Sequence, residues 1–253
     1  VFGGDKWIGL TDGTDVVSYT TDGATWSNAT MPGVAAWKNV SYGNGVFVAT
    51  VDGDATTAAY STNGGINWSP SNFSTQGDSY KAVYGNGAWV AVETGTLAAG
   101  SNSQLSTDGI SWIAGGDTAN SNLIDIAYGG GLFIATGTSI NHVVVSNDNG
   151  ATWTDNALPL TQAWSSITYG NGRFVLISTD GVSMYSFDGV TWLEGSMPQF
   201  AWSLVGYGQG LFLAVASDTS TVAQSNDGKI WTTTNDASSA NVLTKTAGWN
   251  QLA

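Results

Sequence analysis

The sequence has no cysteine, one histidine (His142), one arginine (Arg173) and only four prolines in 253 residues. Without cysteine there is neither a disulfide framework nor a thiolate metal site. With one histidine, a Ser–His–Asp mechanism or a multi-histidine zinc site depends on His142 alone. His142 lies in Ile140-Asn141-His142-Val143-Val144-Val145, a strand pattern that assigns it to structure. Positive charge is scarce too. Six Lys plus Arg face 19 Asp plus Glu, for a formal net charge of −13. Such a surface repels phosphate backbones and anionic lipid, which argues against nucleic-acid and membrane-surface partners. No apolar run approaches the ~20 residues of a membrane-spanning helix, so no membrane insertion is expected. The chain opens on Val1 with no Met and no signal-peptide pattern, which reads as a processed product or a piece of something longer.

Glycine (34 residues), tryptophan (12) and short β-branched runs are abundant, the mix expected of many short strands joined by tight turns. One turn recurs six times, at residues 20–26, 61–68, 106–112, 146–153, 186–192 and 225–231. Each copy runs from a hydroxyl residue through Asp or Asn and Gly to Trp, as in Ser146-Asn147-Asp148-Asn149-Gly150-Ala151-Thr152-Trp153. An Asp or Asn side chain accepts hydrogen bonds from nearby backbone N–H groups, and Gly supplies the positive φ of a reversal. The Trp re-enters the core with a large apolar area. The copies at 61–68 and 146–153 are one residue longer between the acid and the Gly than the other four.

A second unit alternates with the first. Trp37-Lys38-Asn39-Val40-Ser41-Tyr42-Gly43-Asn44-Gly45-Val46-Phe47-Val48-Ala49 reads as strand, Asn-Gly hairpin, strand. Its turn recurs at Tyr84-Gly85-Asn86-Gly87, Tyr128-Gly129-Gly130-Gly131, Tyr169-Gly170-Asn171-Gly172 and Tyr207-Gly208-Gln209-Gly210. A sixth copy is split across the termini. Trp249-Asn250-Gln251-Leu252-Ala253 matches its start, and Phe2-Gly3-Gly4-Asp5-Lys6-Trp7-Ile8 its turn and second strand, with Val1 left over. The turn tryptophans 26, 68, 112, 153, 192 and 231 are spaced by 42, 44, 41, 39 and 39 residues, the size of a four-stranded blade. The expected fold is therefore all-β: a six-bladed β-propeller of four-stranded antiparallel blades, one domain over residues 1–253. It is closed by pairing the C-terminal strand with three N-terminal strands.

The six turns resemble the Asp-box, or BNR repeat, which lies between the third and fourth strands of propeller blades in sialidases and many unrelated secreted proteins. The resemblance implies a structural turn rather than a catalytic one. Together with the Tyr-Gly-Asn-Gly-x-Phe-Val-Ala unit, it is similar to repeat modules of bacterial surface proteins and phage tail or fibre proteins, and it covers nearly the whole chain. A sialidase would need an arginine cluster to clamp the substrate carboxylate. Arg173 alone does not provide one, and sialidase is rejected.

Twelve tryptophans sort by the repeat. Six belong to the turns. Trp7 and Trp89 take the core place held elsewhere by Phe47, Phe133, Phe174 and Phe212. Trp37, Trp164, Trp202 and Trp249 open the inner strands, with Tyr80 and Leu123 near the equivalent place. An aromatic ring around the loop-bearing mouth of a propeller would stack on sugars; the alternative is that these rings pack beneath the loops. After the second strand of most blades an acid recurs: Asp12, Asp52, Glu93, Asp180 and Asp218, several of them in Asp-Gly turns. Turn chemistry accounts for them; an acidic rim would bind sugar hydroxyls or Ca²⁺, which takes six to eight oxygens. The candidate ligand-binding set is thus Trp37, Tyr80, Trp164, Trp202, Trp249, Asp52, Glu93, Asp180 and Asp218. No catalytic residue, metal ligand or cofactor is assigned, Ca²⁺ being the one ion an acidic rim would take. The expected function is non-enzymatic recognition or adhesion outside a cell or on a virion, by glycan binding on the loop face. The partner would be a glycan or a protein surface, with other subunits of a larger assembly as neighbours. A purely structural module and a two-carboxylate glycosidase are the alternatives.

Overall fold

A computed structural model describes residues 1–53, 56–94, 102–118, 123–217 and 221–233. These residues form antiparallel strands and turns, and no helix. The first sheet orders β1 (Phe2–Gly3), β2 (Lys6–Leu10), β3 (Thr14–Thr20) and β4 (Ser27–Ala35). The second orders β5 (Trp37–Gly43), β6 (Val46–Val51), β7 (Thr57–Ser61) and β8 (Ser69–Asn72). The third orders β9 (Tyr80–Gly85), β10 (Ala88–Glu93), β11 (Asn102–Ser106) and β12 (Ile113–Asp117). A six-stranded sheet follows, of β13 (Leu123–Gly129), β14 (Leu132–Ser146), β15 (Thr154–Gly170), β16 (Arg173–Ser178), β17 (Ser183–Ser186) and β18 (Leu193–Glu194). The last sheet orders β19 (Trp202–Gly208), β20 (Leu211–Ala216), β21 (Val222–Ser225) and β22 (Thr232–Thr233). Neighbours in each sheet are consecutive in sequence, as in a meander of hairpins.

The chain divides into two compact units. One comprises Val1–Leu123 with Ser146–Thr154, the other Ile124–Val145 with Asp155–Ala253. In each, the core lies between the faces of successive sheets. Strand alternation sends neighbouring residues to opposite faces. Phe47 of β6 therefore joins Ile8, Val17 and Trp68 in one buried cluster, while Val48 joins Ala82, Trp89 and Trp112 in the next. In the second unit Leu176 packs with Ile134, Val143 and Trp192, and Val175 with Phe212, Ala214 and Trp231.

All six Asn-Gly-type hairpins have two successive left-handed residues, for example Asn44 and Gly45 at φ 49° and 80°. That is the turn whose twist matches its flanking strands. The glycine before the turn has another reason to be glycine. A Cβ on Gly3 or Gly43 would overlap the side chain of Tyr42 or Tyr84 in the following sheet. In the second unit Gly129 and Gly170 stand likewise against Tyr169 and Tyr207. The Tyr-Gly pair is thus a contact between the strands that open successive repeats, recurring along the chain.

Two details depart from the simple repeat. The inner strands β5, β15 and β19 each carry an irregularity next to their first Trp, at Lys38, Ser165 and Ser203; β9, which begins with Tyr80, pairs without one. And Trp7, expected in the core, is largely exposed with Phe2 stacked on it at 4.9 Å. The equivalent Trp89 of β10 instead packs with Val46 and Val48 of the preceding sheet.

Candidate functional site

The rings expected to stack on sugars are buried. Trp37, Tyr80, Trp164 and Trp202 are 3%, 1%, 0% and 0% exposed. Trp37 and Trp202 donate their indole N–H to the carbonyls of Gly33 and Pro198, 3.0 and 2.8 Å away, each four residues before the Trp, Gly33 near the end of β4 and Pro198 in the segment before β19. Tyr80 donates its hydroxyl to the Thr75 carbonyl. A ring with no open face cannot stack on a ligand, so for these four the packing alternative replaces the binding one. Trp249 lies outside the described residues.

The acids are engaged one by one. Asp52 pairs with Lys38 at 2.6 Å. Asp180 accepts the backbone N–H of Ala163 at 3.0 Å. Glu93 is buried and accepts the N–H of Asp78. Burial pushes the Glu93 carboxyl above its ordinary pKa, a shift that the Asp78 N–H opposes and the Asp78 carboxylate adds to. Asp218 lies outside the described residues. Among the described residues no three His, Cys, Asp or Glu side chains gather as a metal-holding group. Asp125, a glycosidase candidate by count, is buried and accepts from the Ser166 hydroxyl and the N–H groups of Ile126 and Ile167. It ties the inner strands β13 and β15 together. His142 sits on β14 with its Nε2 covered and no hydrogen-bond partner.

The repeated turns close as the residue types require. Ser186 donates its hydroxyl to Asp188 Oδ1 and accepts the N–H of Gly189. Asp188 Oδ1 also accepts the N–H groups of Val190 and Thr191. The same bonds recur at Thr20/Asp22, Ser106/Asp108 and Ser225/Asp227. The Thr191 and Val190 N–H groups hold the Asp188 carboxyl at about 2, and those of Thr25 and Ala24 do the same for Asp22. The two longer copies fit their extra residue with two left-handed positions in succession, Gly64–Gly65 and Asn149–Gly150. All these carboxylates point into their own turns, a structural use.

What the sequence reading missed lies on the outer strands of the second unit. Phe187 is 56% exposed. It occupies the place that the other turns give to Thr21, Thr62, Thr107, Asn147 and Asn226. That polar-to-aromatic change was the available signal. The Tyr185 ring lies 6.0 Å from Phe187, edge to face, and Leu193, opposite Tyr185 in register, is also exposed. The Arg173 guanidinium stands 4.8 Å from the centre of the Phe187 ring, and the Lys229 ammonium 5.1 Å from that of Tyr185.

Each unit also carries an unmatched surface. In the first, the turn at Gly23 has no neighbour within 4 Å, and Trp26 is 48% exposed where Trp68 and Trp112 are buried. In the second, a cavity of about 320 Å³ opens on the last sheet, lined by Leu211, Gln224 and Ile230 among others.

Comparison with known proteins bears on this geometry. A family model described as DUF6242 beta propeller domain matches residues 126–243. The protein is a β-propeller. No curated protein matches the sequence. Among solved structures it resembles YCF48 bound to D1 peptide, at 16% identity and TM-score 0.67 over 88% of this chain and 75% of that one. It also resembles virginiamycin B lyase from Staphylococcus aureus, at 13% identity and TM-score 0.74 over 89% and 82%. A streptogramin B lyase matches at 10% identity and TM-score 0.68, over 81% and 70%. At such identities the likeness is one of fold. It corrects one expectation: the sequence reading took the chain to be no enzyme, and lyases are built on this same fold. No helix among the described residues is long and apolar enough to cross a membrane.

Proposed function

We propose that this propeller is a recognition module that binds an extended segment of a partner protein. The observation that carries the reading is the solvent-facing apolar patch of Phe187, Tyr185 and Leu193. Contiguous exposed apolar side chains bordered by charge mark protein-binding surfaces. The YCF48 structure, solved with a peptide, gives the reading a precedent on the same fold. Display outside a cell or on a virion, within a larger assembly, is part of the proposal. The test is a peptide array and a glycan array, both probed with the whole chain and with Phe187→Ser. Peptide binding lost in a variant that melts like the parent is the expected result. Glycan binding that survives the substitution, with no peptide bound, would overturn it and return the ligand to the loop face.

We further infer that the turns are of the Asp-box kind and that the ring has six blades in one domain. The six-stranded sheet supports two of them, since β14 (15 residues) and β15 (17 residues) are each long enough to serve as two blade strands. Closure would come from Trp249-Asn250-Gln251-Leu252 extending the two-residue β1 along β2. Support comes from the repeat itself: in the first unit Gly65 already stands against Ile8, Gly109 against Val48 and Gly150 against Val90, and in the second Gly189 stands against Ile134 and Gly228 against Val175.

A further inference from the structure

The chain has only six Lys and Arg, and two of them stand over aromatic rings of one patch, exposed Phe187 and half-buried Tyr185. Arg173 donates from Nη1 to the Asp227 carbonyl at 2.7 Å, which anchors the guanidinium beside the Phe187 ring. Its Nε has no acceptor among the described residues. Lys229 reaches over both rings, 5.1 Å from Tyr185 and 5.7 Å from Phe187. No carboxylate of the described residues lies within 4 Å of either cation. The acids beside Phe187 and Lys229 are engaged in their own turns: Asp188 holds the N–H groups of Val190 and Thr191, and Asp227 those of Lys229 and Ile230. The patch therefore joins to apolar surface two cations that form no ion pair within 4 Å among the described residues, although Arg173 acts at longer range on the Asp227 carboxyl, on a molecule whose net charge is −13.

We propose that this patch selects an acidic segment of its partner, with carboxylates on Arg173 and Lys229 and an apolar side chain against Phe187 and Leu193. This rests on the peptide-binding reading above and adds the charge of the ligand. Overall repulsion does not forbid it. The Debye length is about 8 Å at physiological ionic strength, so a bound carboxylate feels the two nearby cations far more than distant acids. An acidic segment would be repelled from most other surface, which confines it to this place and makes the patch selective. The guanidinium has N–H donors beyond the one that holds the Asp227 carbonyl, and charge-assisted hydrogen bonds to a carboxylate are among the stronger ones.

The test is fluorescence anisotropy with three labelled peptides that share one leucine-containing frame and differ only in carrying Glu, Gln or Lys. The Glu peptide is expected to bind tightest. Lys229→Gln and Arg173→Gln should each weaken it by about threefold to fivefold, the range of exposed ion pairs, and leave the Gln peptide unchanged. Lys229→Gln leaves the Asp227 turn bonds in place, so it reports on charge even where Arg173→Gln unfolds the chain. Equal binding of all three peptides, lost in Phe187→Ser, would overturn the acidic selectivity and keep the peptide reading. Preference for the Lys peptide, or for a single-stranded oligonucleotide run in parallel, would also overturn it. Binding of none of the peptides would overturn both.

Discussion

At the scale of single residues, the repeated turn separates the role of an oxygen from the role of a charge. One copy has Asn63 where the others have Asp, and its Oδ1 still accepts from the Ser61 hydroxyl and the Asn67 N–H. The turn therefore needs an acceptor, and the charge adds dependence on pH. The Asp188 carboxyl is held at about 2, below its ordinary 3.8, first by the Thr191 N–H and then by that of Val190. A depressed carboxylate stabilises the fold above its unfolded pKa, and this contribution is lost as pH falls through the folded value. Asp188→Asn should keep the melting temperature at neutral pH and remove that turn's contribution to the acid-side loss between about pH 4 and pH 2. Asp188→Ala should lower the neutral-pH melting temperature by about 2–4 °C, as expected for a lost capping bond. Thermal melts across pH for the three proteins would check both. An equal drop for Asn and Ala would mean that the charge itself holds the turn. These turns were legible in the sequence because each closes within eight residues. Phe187 was not. It was read as the free position of the same motif, and its meaning comes from Arg173 and Lys229, which the fold brings to it from other strands.

At the scale of strands and sheets, the Tyr-Gly pair shows where local reading stops. The sequence gives good reason to see a hairpin in Tyr42-Gly43-Asn44-Gly45, and Asn44 and Gly45 do form its turn. Gly43 is not left-handed; it is glycine because Tyr84, in the next sheet, lies against it. A contact 41 residues away leaves no trace in a window of thirteen. The two glycines should therefore respond differently to alanine. Gly43→Ala forces a side chain into a packed ring, an overpacking cost of about 1–3 kcal/mol. Gly45→Ala meets nothing within 4 Å and bears only the left-handed penalty of roughly 1 kcal/mol. Denaturant titration of both, with Gly43→Ala also made in a Tyr84→Ala background, would check this. Partial recovery in the double variant is expected, and strict additivity would sink the ring contact as the cause. The same limit explains the inner-strand tryptophans. Their spacing revealed that they recur, but their burial comes from packing against residues far away in sequence, Trp37 with Ile8 and Trp68, Trp202 with Val175 and Trp231.

At the scale of the molecule, the repeat predicts its own closure more sharply than any one element does. Trp68 and Trp112 are buried, while Trp26, in the same position of the first turn, is 48% exposed. If the ring closes as proposed, Trp26 takes the same kind of seat as its counterparts, and Trp26→Ala should cost about 3–5 kcal/mol, the cost expected for Trp68→Ala as well. If Trp26 stays at the surface, the substitution should change stability by less than about 0.5 kcal/mol. Deleting residues 249–253 supplies the second half of the test. The inner edge of β2 then has only Phe2 and Gly3 of β1 as ladder partners, and closure predicts a lower denaturation midpoint for the whole chain in one cooperative step. A large loss in both variants, with Trp26→Ala costing no further stability once 249–253 are gone, would mean that strand and turn act on one seam. Two independent and additive losses would mean that the terminal strand and the first turn stabilise separate parts of the molecule, and the six-bladed ring would have to be given up.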